Sequence, residues 1–149
     1  MKNRKLKKIG FYVYSYYQAK DVINVSKNYN ILPFLVFKYN LAENIGLLWI
    51  DELTKLLINE FKKKNINVVI DCKKNPALTI NSIRYGFSYI NFSGNKVLQK
   101  KILGLAKKFN IKINQKIEIY DLKNIKNCNL YINKILRRSG DKKWILVKK

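Results

Sequence analysis

Histidine is absent from this chain of 149 residues, and cysteine, proline and glycine are scarce. The absence of histidine excludes Ser-His-Asp catalysis, cysteine catalysis assisted by histidine, and the usual zinc sites. Cys72 and Cys128 lie far apart in the sequence. Cys128 recurs with apolar residues at helical spacing, so we expect it in the core. We expect two reduced thiols in a cytoplasmic protein that holds no metal and no cofactor.

Long apolar runs are also missing. Basic residues precede the apolar run 9–17, as in a signal peptide, but this run is rich in aromatic residues and has no small-residue cleavage site. The segment 45–58 is interrupted by Asp51, Glu52 and Lys55. Neither segment has the roughly 20 apolar residues that a membrane span needs. We therefore expect neither a secretory signal nor a membrane helix.

Basic residues, by contrast, are abundant, since 31 Lys and Arg against 9 Asp and Glu give a formal net charge of +22. One explanation is a polyanionic partner, because clustered lysines and arginines release counterions from a phosphate backbone. The other is an AT-rich genome, which favours the codons of lysine, asparagine and isoleucine. In this chain 27 Lys, 19 Asn and 20 Ile together make 66 residues. Composition alone leaves both explanations open.

Apolar periodicity predicts strands and helices in strict alternation. The predicted strands are 9–17, 31–37, 66–70, 87–92, 111–120 and, unless it only packs over the core, 144–147; the predicted helices are 18–30, 43–64, 76–85, 95–109 and 121–136. Such alternation implies parallel strands with right-handed crossovers. We expect a basic N-terminal arm at 1–8 and a single α/β domain at 9–149. The domain should have five to six mostly parallel strands in an open three-layer sheet or a half-barrel.

Local signals define two of these elements more closely. Asn75 and Pro76 are typical of a helix start, and Gly86 is typical of the left-handed residue that follows a helix. The strand at 111–120 alternates apolar and polar residues, with a change of phase beginning at Gln115. This pattern predicts an edge strand with one face in water and a bulge in its middle.

Candidate ligand-binding residues follow the third and fourth strands, because ligands of parallel α/β proteins gather at the carboxyl ends of the strands. Ser93 and Gly94 before a helix fit phosphate binding through backbone N–H groups, or simply a tight turn into a capped helix. Two lysines beside Cys72 would lower the pKa of its thiol, whereas Asp71 fits a helix cap or a lysine partner. We assign no catalytic residue, and the full candidate set is Asp71, Cys72, Lys73, Lys74, Ser93, Gly94 and Asn95.

The segment 71–86, DCKKNPALTINSIRYG, with the strand and the Ser-Gly pair after it, resembles the middle of a group of small bacterial α/β proteins that have no assigned activity. In that group an Asp-Cys pair at a strand end precedes a helix that ends in Leu/Ile-Arg-x-Gly; the matching residues here are Asp71, Cys72, Leu78, Arg84 and Gly86. Lys73, Lys74 and Ala77 stand where the group has glycine, an acidic residue and glycine. The resemblance implies the α/β fold and no particular reaction.

We therefore expect a small basic binding or accessory protein rather than an enzyme, with an anionic, phosphate-type ligand at the carboxyl ends of the strands. The alternative is a protein that binds RNA, DNA or the ribosome without sequence specificity, because no helix-turn-helix, zinc-finger or RRM signature is present. The residues for that alternative lie at the two basic ends of the chain: Lys5, Lys7, Lys8, Arg137, Arg138, Lys142 and Lys143. A lysine-coated surface from an AT-rich genome would need neither partner.

Overall fold

A computed structural model describes residues 7–138 of the chain. Its elements, in chain order, are β1 Ile9–Tyr12, α1 Tyr16–Asn28, β2 Phe34–Phe37, α2 Tyr39–Asn44, α3 Leu47–Phe61, a 3-10 turn Lys63–Asn65, β3 Asn67–Asp71, α4 Pro76–Arg84, β4 Tyr89–Asn91, α5 Lys96–Lys108, β5 Lys112–Ile113, β6 Glu118–Asp121 and α6 Cys128–Arg138. The predicted strand at 144–147 and residues 1–6 of the predicted arm lie outside the described residues.

The six strands form one sheet in the order β5-β4-β3-β2-β1-β6, and every neighbouring pair is parallel. The first five strands follow one another across the sheet, whereas β6 lies on the other side of β1. Together with the six helices of the described region, this sheet confirms the predicted α/β fold with an open parallel sheet.

The two faces of the sheet carry different apolar clusters, because successive side chains of a strand point to opposite faces. Phe11, Leu35 and Ile70 belong to the larger cluster, to which side chains of all six described helices contribute. Phe34, Val36 and Val69 form a smaller cluster on the opposite face, with side chains of other strands and the β5–β6 connection around it. The helices therefore cover the first face, and strand side chains pack together on the second.

The sheet curls, because the segment 114–117 joins its two outermost strands. Such a connection spans at most about 17 Å, whereas the outer strands of a flat six-stranded sheet are about 24 Å apart. Ile117 lies against Gly10 because β6 pairs with β1, and a Cβ atom on the glycine would lie 2.9 Å from Cγ2 of Ile117. The prediction of one continuous strand at 111–120 is therefore wrong. The strand is interrupted where the alternation of apolar and polar residues changes phase. Its first half, β5, pairs with β4, and its second half, β6, pairs with β1.

Two predicted helices differ in extent from the observed ones. The pattern at 43–64 predicts a single helix, but Gly46 has a φ of +101° and separates α2 from α3. The pattern at 121–136 predicts a helix from Asp121, but this residue pairs with Tyr12 in the sheet and α6 begins only at Cys128. Cys128 is buried, as predicted.

The predicted boundaries of α4 are confirmed. The side chain of Asn75 accepts a hydrogen bond from the backbone N–H of Leu78 at 2.9 Å, and Pro76 is the first helical residue. Gly86 follows the helix with a φ of +83°. Such a φ is easy for glycine and costly for residues with a Cβ atom.

Candidate functional site

The loops after β3 and β4 lie side by side at the edge of the sheet where the strands end. The backbone N–H of Ser93 donates to the carbonyl of Lys73 at 2.8 Å, which joins the two loops. The prediction that these loops meet at one edge is therefore confirmed. The same bond engages the Ser93 N–H, one of the groups expected to hold a phosphate.

Cys72 points away from this edge. Its side chain is fully buried, and its Sγ lies 3.6 Å from Oγ of Ser82 on α4. Burial raises the pKa of the Cys72 thiol above its ordinary value. The expectation that neighbouring lysines lower this pKa is wrong, because strand alternation turns the thiol into the core. A buried, protonated thiol is a poor nucleophile and a poor ligand.

Three other predicted residues serve the local structure. Asp71 accepts a hydrogen bond from the backbone N–H of Lys73 at 3.2 Å. Asn95 accepts one from the N–H of Leu98 at 2.9 Å and so caps α5. Gly94 lies so close to Phe92 that a Cβ atom would be 2.5 Å from the Phe92 ring. These contacts match a tight turn into a capped helix.

Lys73, Lys74 and Ser93 nevertheless line an open depression of about 490 Å³, together with Tyr39, Asn75 and Pro76. A second depression of about 500 Å³ shares Ser93 and is bordered by Gly94, Lys96 and Lys100, among others. No acidic residue of the described part of the chain lines either depression. The structure thus places four lysines around adjoining surface depressions at the strand ends.

A polar cluster at the ends of β1, β2 and β6 centres on Asp121. Its carboxylate accepts hydrogen bonds from the Tyr14 hydroxyl at 2.7 Å, from Nζ of Lys38 at 2.7 Å and from the Lys123 backbone N–H at 2.9 Å. Nζ of Lys38 also lies 4.6 Å from the centre of the Tyr12 ring. Lys38 and Asp121 each follow a predicted strand, at 31–37 and 111–120, but their pairing across β1 depends on the strand order.

The protonation states of this cluster are stable at neutral pH. Partial burial alone would raise the pKa of Asp121, but hydrogen bonds from Lys38, the Lys123 backbone and Tyr14 outweigh burial and lower it. Hydrogen bonds to Asp121 and then Tyr14 raise the pKa of Lys38. Burial and then the bond to Asp121 raise the pKa of Tyr14. General acid–base catalysis needs a group that titrates near the working pH. Each of these shifts moves a pKa further from neutrality, so the cluster is an ion pair rather than an acid–base catalyst.

The opposite edge of the sheet, where strands begin and helices end, is strongly basic. Eleven of its twelve basic residues are exposed and Lys8 is half-buried. We call this set the basic edge: Lys7, Lys8, Lys27, Lys62, Lys63, Lys64, Arg84, Lys107, Lys108, Lys112, Arg137 and Arg138. Within residues 7–138, the salt bridges formed by lysine involve Lys20, Lys38 and Lys55, which are not members of this set.

Acidic residues are concentrated away from the basic edge. Six of the eight in the described region lie at the strand ends, in the first half of a longer helix or, for Glu43, in the short helix α2 that precedes α3: Asp21, Glu43, Asp51, Glu52, Asp71 and Asp121. Of the other two, Glu60 is already bonded to Tyr16 and Lys20, and Glu118 begins β6. The strand-end edge thus carries acidic residues among its lysines, whereas the basic edge carries few acidic residues.

The basic edge collects the described residues of the predicted nucleic-acid set. Lys7 and Lys8 precede β1, while α6 runs alongside α1, as the 3.0 Å bond from the Tyr29 hydroxyl to Asn133 shows. The last turn of α6, with Arg137 and Arg138, therefore lies at the same edge. Lys5, Lys142 and Lys143 lie outside the described residues. The helix-end lysines at 27, 62–64 and 107–108 complete the edge, and only the parallel topology reveals that they share it.

Lys8 differs from its neighbours because it is partly buried. Its Nζ donates to the side-chain oxygen of Gln115 and lies 5.9 Å from the centre of the Phe34 ring. Burial, and then the charge of Lys112, lower the pKa of Lys8. Lys8 therefore belongs to the start of the sheet rather than to a solvated arm.

The described residues contain no group of three or more acidic or thiol side chains that could hold a metal ion. Among the helices of residues 7–138, none has both the length and the apolar character needed to cross a membrane. No protein-family model matches the chain, and a comparison with curated proteins finds no match. The resemblance to small bacterial α/β proteins stays a prediction.

Proposed function

We propose that this protein binds nucleic acid through the basic edge, without sequence specificity. The observation that carries the proposal is the row of exposed lysines and arginines at the ends of neighbouring helices, with most acidic residues elsewhere. Cations clustered on one face attract a phosphate backbone and gain free energy from the counterions that it releases. Such contacts position a strand but do not read its bases.

Helix electrostatics explain only part of this row. Lysines in the last turn interact favourably with the helix dipole, and this accounts for Lys27, Lys107 and Lys108. It does not account for Lys7, which precedes β1, for Lys112, which begins β5, or for the run 62–64 after α3. A background of lysine codons would place lysines at both edges, and lysines do lie at both, since Lys73, Lys74 and Lys96 are at the strand ends. Such a background does not explain the scarcity of acidic residues at the basic edge, and this scarcity supports a polyanionic partner.

Two charge-reversal variants test the proposal. The edge variant is K63E/K64E/K107E/K108E, and the control variant with the same change in net charge is K74E/K100E/K123E/K126E. All eight lysines are exposed. The measurement is fluorescence anisotropy with a labelled strand of about 16 nucleotides, the upper site size for one small domain.

The edge variant should bind at least about tenfold more weakly than the wild type at low salt, because phosphate contacts are lost. The control variant should lose much less. The proposal is overturned if both variants lose affinity equally, since binding would then depend on net charge alone. It is also overturned if the wild type fails to bind at about 50 mM salt.

A second candidate function is the binding of a small phosphate-type anion at the strand ends. Support for it comes from the acid-free lysine lining of the two depressions that share Ser93. Titration with inorganic phosphate and with pyrophosphate, followed by NMR, should then shift the resonances of Lys74, Ser93 and Lys100 and saturate. If neither anion shifts these resonances, this candidate fails, whatever the result at the basic edge.

A further inference from the structure

Two aromatic side chains are exposed within the basic edge. Phe109, which follows α5, is 61% exposed, and Tyr85, which follows α4, is 42% exposed. They occupy equivalent C-cap positions on two helices that pack against each other. Single exposed apolar residues are ordinary on protein surfaces. Two aromatic rings at matching ends of neighbouring helices, both inside a row of cations, form a more specific arrangement.

We propose that the basic edge takes single-stranded nucleic acid, with bases stacked on Phe109 and Tyr85. This inference rests on the proposed function and adds the class of ligand. Proteins that bind single strands combine a positively charged track for the backbone with aromatic rings that stack on the bases. A duplex keeps the faces of its bases stacked on one another, so it could use the cations of this edge but not its rings.

The positions of the two rings suit this ligand. Packed helices lie about 8–10 Å apart, so one single strand can pass both helix ends. The Tyr85 ring stacks on Phe87, with ring centres 6.1 Å apart and an angle of 29° between the ring planes. This contact holds one face of Tyr85 and leaves the ring partly in solvent. Arg84 precedes Tyr85 and Lys108 precedes Phe109, so each ring has a cation beside it in the chain.

The test compares a single strand with a hairpin duplex of the same number of phosphates. The variants are Phe109→Ala, Tyr85→Ala and their combination, with Phe109→Leu as a variant that keeps an apolar side chain but removes the ring. Tyr17→Ala is the matched control, because Tyr17 is an aromatic residue that is 77% exposed at the opposite edge. Circular dichroism verifies that each variant is folded.

The wild type should bind the single strand more tightly than the hairpin. Each ring removal should weaken single-strand binding by about 5- to 150-fold, the range expected for loss of one stacked base. Hairpin binding should stay unchanged, and Tyr17→Ala should alter neither. Equal affinity of wild type and Phe109→Ala for the single strand would overturn this inference and leave the proposed function intact. Absence of binding to both probes would overturn both.

Discussion

The contact between Gly10 and Ile117 gives a quantitative test of how the β5–β6 connection packs on β1. In Gly10→Ala the new Cβ atom would lie 2.9 Å from Cγ2 of Ile117, and 3.2 Å from both the Phe34 carbonyl oxygen and Cγ2 of Val36. Overpacking of this kind costs about 1–3 kcal/mol. Alanine also has less conformational freedom than glycine in the unfolded chain, which stabilises the folded variant by about 0.4–1 kcal/mol and offsets part of this cost. The net loss should be about 1–2 kcal/mol in the free energy of unfolding.

Urea denaturation followed by circular dichroism measures this loss, and Gly104→Ala provides the control. No atom lies within 4 Å of the Cβ position at Gly104, which is inside α5. That substitution should stabilise the protein by about 0.5–1 kcal/mol.

A double-mutant cycle with Ile117→Ala isolates the contact. If Ile117 packs on Gly10, the cost of Gly10→Ala should fall by at least about 0.5 kcal/mol in the Ile117→Ala background. If the two effects add within about 0.3 kcal/mol, the atoms do not touch. The placement of Ile117 against β1 would then be wrong.

Three further predictions concern single side chains. The buried thiol of Cys72 should react with a disulfide reagent at neutral pH only after urea unfolding, because burial raises its pKa; rapid reaction of the native protein would contradict its placement. Asp121→Asn should destabilise the protein at neutral pH. The pKa of Asp121 is lower in the folded protein than in the unfolded chain. The ionised carboxylate therefore contributes its full stabilisation above the unfolded-state pKa of about 3.9, and this stabilisation is lost as the pH falls through the folded-state pKa. Urea midpoints of wild type and variant should therefore converge in acid, and a constant difference would refute the ion pair with Lys38. The side chain of Asn114 accepts a hydrogen bond from the Phe92 N–H at 2.8 Å and donates one to the Phe92 carbonyl at 2.7 Å, so Asn114→Ala should lower the free energy of unfolding by about 1–3 kcal/mol. Asn114→Gly should lower it less, because residue 114 has a φ of +51°. Equal urea midpoints for the two variants would contradict this prediction.

Short-range signals made α4 the most predictable element. Asn75, Pro76 and Gly86 lie within or beside the helix that they delimit, and each acts through its own backbone geometry or a hydrogen bond three residues away. The division between β5 and β6 could not be predicted in the same way. The change of phase at Gln115 is visible in the sequence, but the pairing partners of the two halves lie far away in the chain.

The candidate surfaces were predictable to different degrees. The meeting of the two loops at Lys73 and Ser93 followed from the parallel alternation of strands and helices. The burial of Cys72 did not, because the residues at 68–70 of the strand before it are all apolar and do not show which face each residue takes. The basic edge was visible only as separate lysines along several helices. The parallel topology, which ends every crossover helix at the same edge, brings them together.

The salt dependence of single-strand binding tests the central claim most directly. For single strands, the logarithm of the binding constant falls with the logarithm of salt concentration with a slope of about −0.7 per phosphate contacted. The edge variant, with four lysines reversed, should have a slope shallower than the wild type by about 3. The control variant should keep the wild-type slope. An edge variant with the wild-type slope would contradict the assignment of the phosphate contacts to the basic edge.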